Sequence, residues 1–189
     1  MIIQATLAML CILVSQSAVA AHFDFLVQDA DGKTYTAADF EQQKATVLLF
    51  VATDCPNSNT YAPVLARLYR EYGSRGVLFF NVYSDPDETP ASVKKHDAEY
   101  QVPFQALLDP HQTLARTTGA RSTPEAVILS RSGQTLYRGR VDDRFADIGK
   151  TRFHASKDDL REALEAILQG KPVGVPFTRV IGCAIPGVN

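Results

Sequence analysis

Two continuous runs of apolar and β-branched residues constrain the fold of this chain more than any other feature. Ala45–Ala52 reads ATVLLFVA and Val77–Tyr83 reads VLFFNVY. Neither run alternates regularly with polar residues, which is typical of strands buried on both faces of a sheet. Ser58–Tyr72 lies between them and carries apolar residues at helical spacing. A strand, a helix and a second strand in this order predict a parallel core with a right-handed crossover.

The remaining segments predict shorter elements around this core. Strands are predicted at His22–Val27, Ala106–Leu108, Ala126–Leu129 and Thr135–Arg140, and helices at Thr36–Phe40, Thr89–Tyr100, His111–Thr117 and Lys157–Leu168. A hairpin turn is predicted at Asp29–Lys33, and Ser156 is the predicted N-cap of the last helix. The fold class is therefore α/β, with a central mixed sheet flanked by helices. The aperiodic tail from Lys171 to Asn189 is predicted to wrap around the domain as an irregular extension.

The first twenty residues have the pattern of a cleaved signal peptide. They contain no charged side chain. An apolar core at Ala5–Val14 is followed by a small-x-small ending at Ala18–Ala20. A membrane anchor and a lipoprotein site at Cys11 are the alternatives. The predicted organisation is a signal peptide at 1–20, one domain at 21–170 and a tail at 171–189. We therefore expect export to the periplasm or another extracytoplasmic compartment.

Charge and cysteine content narrow the functional classes. The 189 residues carry a formal net charge of −2. This near-neutral balance gives no reason to expect binding to nucleic acid or to an anionic membrane, since both favour basic patches. We expect no nucleic-acid partner and no stable membrane insertion after the leader is removed. Of three cysteines, Cys55 and Cys183 remain in the mature chain, where an oxidising compartment allows thiols to pair.

Cys55 occupies a position suited to a reactive thiol. It follows the first buried strand and precedes the predicted helix, where unpaired N–H groups and a partial positive charge stabilise a thiolate. Pro56 suits the first turn of a helix because it has no N–H to leave unpaired. The alternative interpretation is a small, buried structural cysteine.

A second motif joins Cys55 to a known family. Thr123-Pro124 directly precedes the predicted strand Ala126–Leu129. Over about residues 23–170, the chain resembles the redoxin branch of the thioredoxin-like superfamily, which includes the alkyl hydroperoxide reductase and thiol-specific antioxidant proteins. The segments that carry the resemblance are VLLFVATDCP, FFNVYSDPDE, STPEAVIL and SRSGQTLYRGR. The resemblance implies a thioredoxin-like fold, a reactive Cys55, and a cis peptide bond that turns the Thr123 backbone toward the sulfur.

The chain departs from this family at several positions. Ser58 stands where dithiol thioredoxins carry their second cysteine. Ala52 and Leu48 stand where peroxiredoxins carry a threonine and a proline, and Thr53, two residues from Cys55, does not match that threonine. These departures weigh against hydroperoxide reduction, although the fold suits it. Thiol–disulfide exchange and peroxide reduction both stay open.

Cys183 and several charged residues are the remaining candidates for the site. Cys183 either acts as a resolving thiol, forms a static disulfide with Cys55, or makes no contact with it. A guanidinium near Cys55 would favour the thiolate, and Arg121 and Arg140 are the candidates in the block of arginines around Thr123 and the following hairpin. Glu125 is either a proton acceptor or a surface residue.

We therefore predict an exported thiol-dependent oxidoreductase with Cys55, Cys183, Thr123 and Pro124 at its active site. Thr53, Ser58, Arg121 and Arg140 are supporting residues. The predicted partners are a protein thiol or disulfide, or a hydroperoxide, and a protein that supplies reducing equivalents. No organic cofactor or metal is implied.

Two other functions remain as alternatives. One is a periplasmic copper or metal-handling protein that uses Cys55, Cys183 and one histidine, among His96, His111 and His154. At the position where copper-delivery proteins of this fold carry their second cysteine, this chain has Asn59, which weakens this alternative. The other is a non-catalytic thioredoxin-fold binding module with a structural bridge between the two cysteines.

Overall fold

The computed structural model describes residues 25–188. The predicted signal peptide and the first residues of the strand predicted at His22–Val27 lie outside this range. Among residues 25–188, the helices are too short or too polar to cross a lipid bilayer.

A seven-stranded mixed sheet forms the centre of the domain. Its seven strands are β1 (Leu26–Asp29), β2 (Thr34–Thr36), β3 (Ala45–Val51), β4 (Val77–Tyr83), β5 (Gln105–Leu108), β7 (Glu125–Leu129) and β8 (Thr135–Gly139). The short strand β6 (Ser122–Thr123) precedes β7 in the chain and is not part of this sheet. The sheet order is β2-β1-β5-β4-β3-β7-β8. β3, β4 and β5 are parallel, and β7, β8, β1 and β2 add antiparallel pairs. The expected α/β fold with a mixed sheet is confirmed.

β3 lies between β4 and β7 in the sheet, and it is buried along its whole length. Val47 and Leu49 enter the apolar cluster on one face of the sheet, whereas Leu48 and Phe50 enter the cluster on the other face. The alternation follows from the period of two residues in a strand. Burial on both faces explains why this strand is apolar apart from Thr46, as expected for a strand with no solvent-exposed side.

Helices cover both faces of the sheet. They are α1 (Ala37–Glu41), α2 (Pro56–Tyr72), α3 (Pro90–Glu99), α4 (Thr113–Thr118) and α5 (Asp159–Leu168), with a 3-10 turn at Gly73–Arg75. α2 and α5 bury their apolar sides in one cluster, and α1 and α4 contribute to the other. The predicted N-cap of α5 is wrong, because Asp158 takes that position. Ser156 instead donates its amide and its hydroxyl to the carboxylate of Asp143.

Two short strand pairs were not predicted. β9 (Phe145–Asp147) and β10 (Lys150–Thr151) form a small hairpin. β11 (Cys183–Ala184) in the tail pairs with β6. Strands of two or three residues are too short to show a periodic pattern, so sequence patterning does not detect them.

The tail is fixed to the free edge of β8. The Arg138 amide donates to the Pro176 carbonyl at 2.9 Å, and the Thr178 amide donates to the Arg138 carbonyl at 3.1 Å. The Thr178 side chain is buried, and its hydroxyl lies 2.8 Å from the Tyr137 hydroxyl and accepts from the Arg140 amide at 3.0 Å. The tail therefore wraps around the domain, as expected, and continues from this anchor toward β6.

We predict that Gly139→Ala loosens this anchor. A Cβ at Gly139 would overlap the Thr178 hydroxyl and lie 2.6 Å from the Thr178 carbonyl oxygen. Overpacking of this kind costs about 1–3 kcal/mol, so the urea midpoint should fall. Gly174→Ala is the matched control, because its Cβ would meet open space. Equal midpoints for the two variants would contradict the proposed anchor.

Candidate active site

Cys55 is held at the start of α2. β3 ends at Val51, and Cys55 is the N-cap of the 17-residue helix, with Pro56 at its first turn. The Asn59 amide donates to the Cys55 carbonyl at 3.1 Å. The side chain is only 1% exposed. The thiol therefore lies at the positive end of a long helix, where a thiolate is stabilised.

The Thr123–Pro124 peptide bond lies opposite this cysteine. The bond is cis, as predicted. The Cys55 thiol donates to the Thr123 carbonyl oxygen at 3.3 Å. The backbone of β6 is thus in direct contact with the sulfur.

Glu125 supports the loop before the cis-proline from inside the protein. One carboxylate oxygen accepts hydrogen bonds from the amides of Arg121 at 2.8 Å and Ser122 at 3.0 Å. The other lies 3.7 Å from the Arg138 guanidinium. Burial raises the pKa of the carboxyl. The interpretation of Glu125 as a surface residue is wrong, because only 5% of the residue is exposed.

Cys183 lies directly against Cys55. β11 pairs antiparallel with β6, which places Cys183 opposite Thr123. The two sulfur atoms are 2.7 Å apart, and both cysteines are free thiols. A disulfide bond of about 2.05 Å requires only a small further approach. Of the three alternatives for Cys183, the absence of contact is therefore wrong.

The two thiols differ in acidity. Burial alone would raise the pKa of Cys55, but its hydrogen bond with Cys183 and the nearby polar groups of Thr123 and Ser58 outweigh this effect, so the net pKa is lowered. The pKa of Cys183 is raised to about 11 by burial, by its hydrogen bond with Cys55, and by the negative charges of Cys55 and Asp54. Cys55 is therefore the more acidic of the two thiols and loses its proton before Cys183 does.

Two buried hydroxyl groups lie at the site. Among the described residues, the side-chain oxygens of Ser58 and Thr123 have no hydrogen-bond partner of normal geometry. Both groups lower the pKa of Cys55. Ser58 stands at the position of the missing second cysteine, so a hydroxyl near the thiolate replaces a second sulfur there.

The other supporting residues have different partners. The Thr53 hydroxyl donates to Glu88 at 2.6 Å. The Arg140 guanidinium binds Asp159 at 2.7 Å, and Arg121 bonds to Glu125 and to the tail through its backbone. Within residues 25–188, the side chains of Thr53 and Arg140 thus have partners other than Cys55, and Arg121 is held through its backbone. The electrostatic support for the Cys55 thiolate comes from its neighbours in the helix, in β6 and in the tail.

The histidines do not join the cysteines. Both ring nitrogens of His96 lie 2.8 Å from partners, the Tyr83 hydroxyl and the Asn59 side chain. The side-chain amide of Asn59 donates in turn to the Thr53 carbonyl at 3.3 Å, which supports the loop before Cys55. Across residues 25–188, no three His, Cys, Asp or Glu side chains are arranged to hold a metal ion. Sequence reasoning missed the hydrogen-bond network of Tyr83, His96 and Asn59, because a single histidine within a polar helix was its only signal.

The sheet order, the cysteine at the start of α2 and the facing cis-proline define the thioredoxin fold. The family model of the AhpC/TSA family matches residues 19–138. The chain belongs to this family.

Two solved structures are similar to this chain in fold. A hypothetical protein from Sinorhizobium meliloti 1021 is 31% identical, with a TM-score of 0.75 over 86% of this chain and 90% of that protein. A secreted Mycobacterium tuberculosis disulfide oxidoreductase homologous to E. coli DsbE shares the fold, with a TM-score of 0.58 and 17% identity over 77% of this chain and 97% of that one.

A curated relative has a named activity. The thiol-disulfide oxidoreductase ResA of Bacillus thuringiensis subsp. konkukian is 27% identical over 113 residues, which are 60% of this chain. The match spans 64% of that relative, so the chain covers less than two thirds of its length.

We predict that Cys183→Ala raises the pKa of Cys55. The variant loses a hydrogen bond to the thiolate, and a bond to a charged group is worth roughly 1.5 kcal/mol, which corresponds to about one pH unit. The onset of rapid alkylation and of thiolate absorbance should therefore move to higher pH. Cys183→Ser keeps a donor and should give a smaller rise. An unchanged or lower pKa in Cys183→Ala would contradict this electrostatic arrangement.

Proposed function

We propose that the protein is a thiol–disulfide oxidoreductase in which Cys55 attacks and Cys183 resolves. The observation that carries this proposal is the 2.7 Å separation of the two sulfur atoms at a helix N-terminus facing a cis-proline. The named activity of the ResA relative supports the same reaction class.

The first step uses the more acidic thiol. The Cys55 thiolate attacks one sulfur of a substrate disulfide, the substrate S–S bond breaks, and the other substrate sulfur leaves as a thiolate. The product is a mixed disulfide between Cys55 and the substrate. The lowered pKa of Cys55 supplies the nucleophile for this step.

The second step is prepared by the first. Hydrogen bonding and charge from Cys55 help to keep the pKa of Cys183 near 11. Formation of the mixed disulfide removes the charge on Cys55, so the pKa of Cys183 falls when its thiolate is required. The Cys183 thiolate then attacks the Cys55 sulfur and releases the second substrate thiol. The substrate gains two electrons, and the protein becomes a Cys55–Cys183 disulfide that a reducing partner restores.

Hydroperoxide reduction is the second candidate, and membership of the AhpC/TSA family favours it. Ala52 occupies the position of the threonine that peroxiredoxins carry. Thr53 does not replace it, because its hydroxyl donates to Glu88. We therefore rank peroxide reduction below disulfide exchange.

We further propose that the mature protein acts outside the cytoplasm. The pattern of residues 1–20 supports a cleaved leader, followed by a redoxin domain at 21–170 and a tail at 171–189 that carries Cys183. An oxidising compartment would supply disulfide substrates and would require a separate reducing partner protein.

The first test is the intact mass of the full mature protein, alkylated under native conditions before and after reduction. Reduced protein should take up two alkyl groups, and one equivalent of a small disulfide should convert it to a form two hydrogens lighter that takes up none. Cys183→Ser should stop at the mixed disulfide, because no resolving thiol remains. Cys55→Ser lacks the attacking thiol, so it should react with the small disulfide much more slowly than the unsubstituted protein.

The competing functions predict different results in the same experiment. A binding module with a structural bridge would resist reduction until the protein is denatured, and this result would overturn our proposal. A metal-handling protein would gain stability on addition of copper, with both cysteines protected from alkylation. Faster oxidation by hydrogen peroxide than by the disulfide would reverse the ranking of the two redox reactions.

A further inference from the structure

The end of the tail lies in the site as an extended peptide. Residues 183–184 form a strand against β6, with Cys183 opposite Thr123 and Ala184 opposite Ser122. The Ile185 amide continues this pairing by donating to the Arg121 carbonyl at 2.9 Å. The segment therefore presents a cysteine to Cys55 through main-chain hydrogen bonds, which any extended peptide can form.

The position before this cysteine requires glycine. A Cβ on Gly182 would overlap the Thr123 carbonyl oxygen and lie 2.9 Å from the Thr123 carbonyl carbon. These are backbone atoms next to the cis-proline, and they cannot rotate away as a flexible side chain would. An extended peptide in this register therefore cannot carry a side chain at that position.

The position two residues after the cysteine is an apolar pocket. Ile185 is 3% exposed and belongs to the same apolar cluster as Leu114 and Ala120. The Gln112 side-chain amide then donates to the Pro186 carbonyl. The pocket suits a branched aliphatic side chain, and the glutamine fixes the backbone that follows it.

The tail also covers the reactive thiol. Cys55 is 1% exposed, whereas Cys183, which lies over it, is exposed to solvent. A substrate that reaches Cys55 along β6 must therefore take the place of residues 182–185. The anchor at Thr178 lies outside this segment, so the end of the tail can leave while the rest stays bound to β8.

We propose that residues 182–185 are an internal copy of the substrate. A partner displaces them from β6 to reach Cys55, and they return to β6 when Cys183 resolves the mixed disulfide. This inference rests on the proposed function and specifies its substrate class. The partner is a protein with an extended segment that carries glycine directly before its reactive cysteine and a branched aliphatic residue two positions after it.

The test uses the full-length chain with Gly182→Ala and Cys183→Ala. The first change expels the tail from β6, and the second removes the internal thiol. The probe is a synthetic peptide with the sequence of residues 179–187, RVIGCAIPG, whose cysteine is linked to thionitrobenzoate. The Cys55 thiolate attacks the peptide sulfur, the peptide–thionitrobenzoate bond breaks, and the coloured thionitrobenzoate anion leaves.

We expect this peptide to react at least about tenfold faster than the same peptide with alanine in place of its glycine, the factor that corresponds to about 1.4 kcal/mol. A peptide with serine in place of the second isoleucine, which matches Ile185, should also react more slowly. A peptide with serine in place of the first isoleucine, which matches Ile181, is the control and should react almost like the parent. Equal rates for the glycine and alanine peptides would overturn the inference.

The free aromatic disulfide of thionitrobenzoate separates this outcome from failure of the proposed function. Cys55 should react with it faster in the double variant than in Cys183→Ala alone, because the tail no longer covers the sulfur. Rapid reaction without peptide preference would refute only the substrate class. A Cys55 that reacts only after denaturation would refute the proposed function. If the double variant does not fold, Cys183→Ala alone serves, since its tail competes equally with every peptide.

Discussion

The backbone pairing between β6 and β11 is the contact on which the site depends. It places Cys183 opposite Thr123, whose carbonyl already touches the Cys55 sulfur. The cis-proline and the carboxylate of Glu125 fix the loop that supplies β6. A few main-chain hydrogen bonds thus bring together two cysteines that are 128 positions apart in the sequence.

The proximity of the two sulfurs gives them different chemical properties. Cys55 has hydrogen-bond donors around it and a helix N-terminus beneath it, whereas Cys183 faces the negative charges of Cys55 and Asp54. The thiol that can leave the site is thus the weaker nucleophile at rest. A chain without a CxxC motif obtains an unequal pair of thiols in this way, because its second sulfur comes from the tail.

The long elements could be predicted from the sequence, and the contacts of the site could not. Continuous apolar runs and helical spacing identified β3, β4 and α2 to within about two residues, because each buries a full face in the core. The position of Cys183 depends on a tail with no periodicity, which is held by strands of two residues. The ion pair of Arg140 depends on side-chain direction in three dimensions, which spacing along the chain does not contain. The backbone contacts of Arg121 depend on the fold of its own loop and on where the tail docks.

The anchor at Thr178 has a further consequence for competition at the site. Only four residues separate it from Cys183, so the released cysteine stays within about 18 Å of the anchor even when the connection is fully extended. A short flexible connection of this kind corresponds to a local concentration in the millimolar range. An external peptide with identical contacts would have to reach that concentration to occupy half of the sites. A dilute partner must therefore also contact the protein outside β6, and small thiols or disulfides without additional contacts reach Cys55 more slowly.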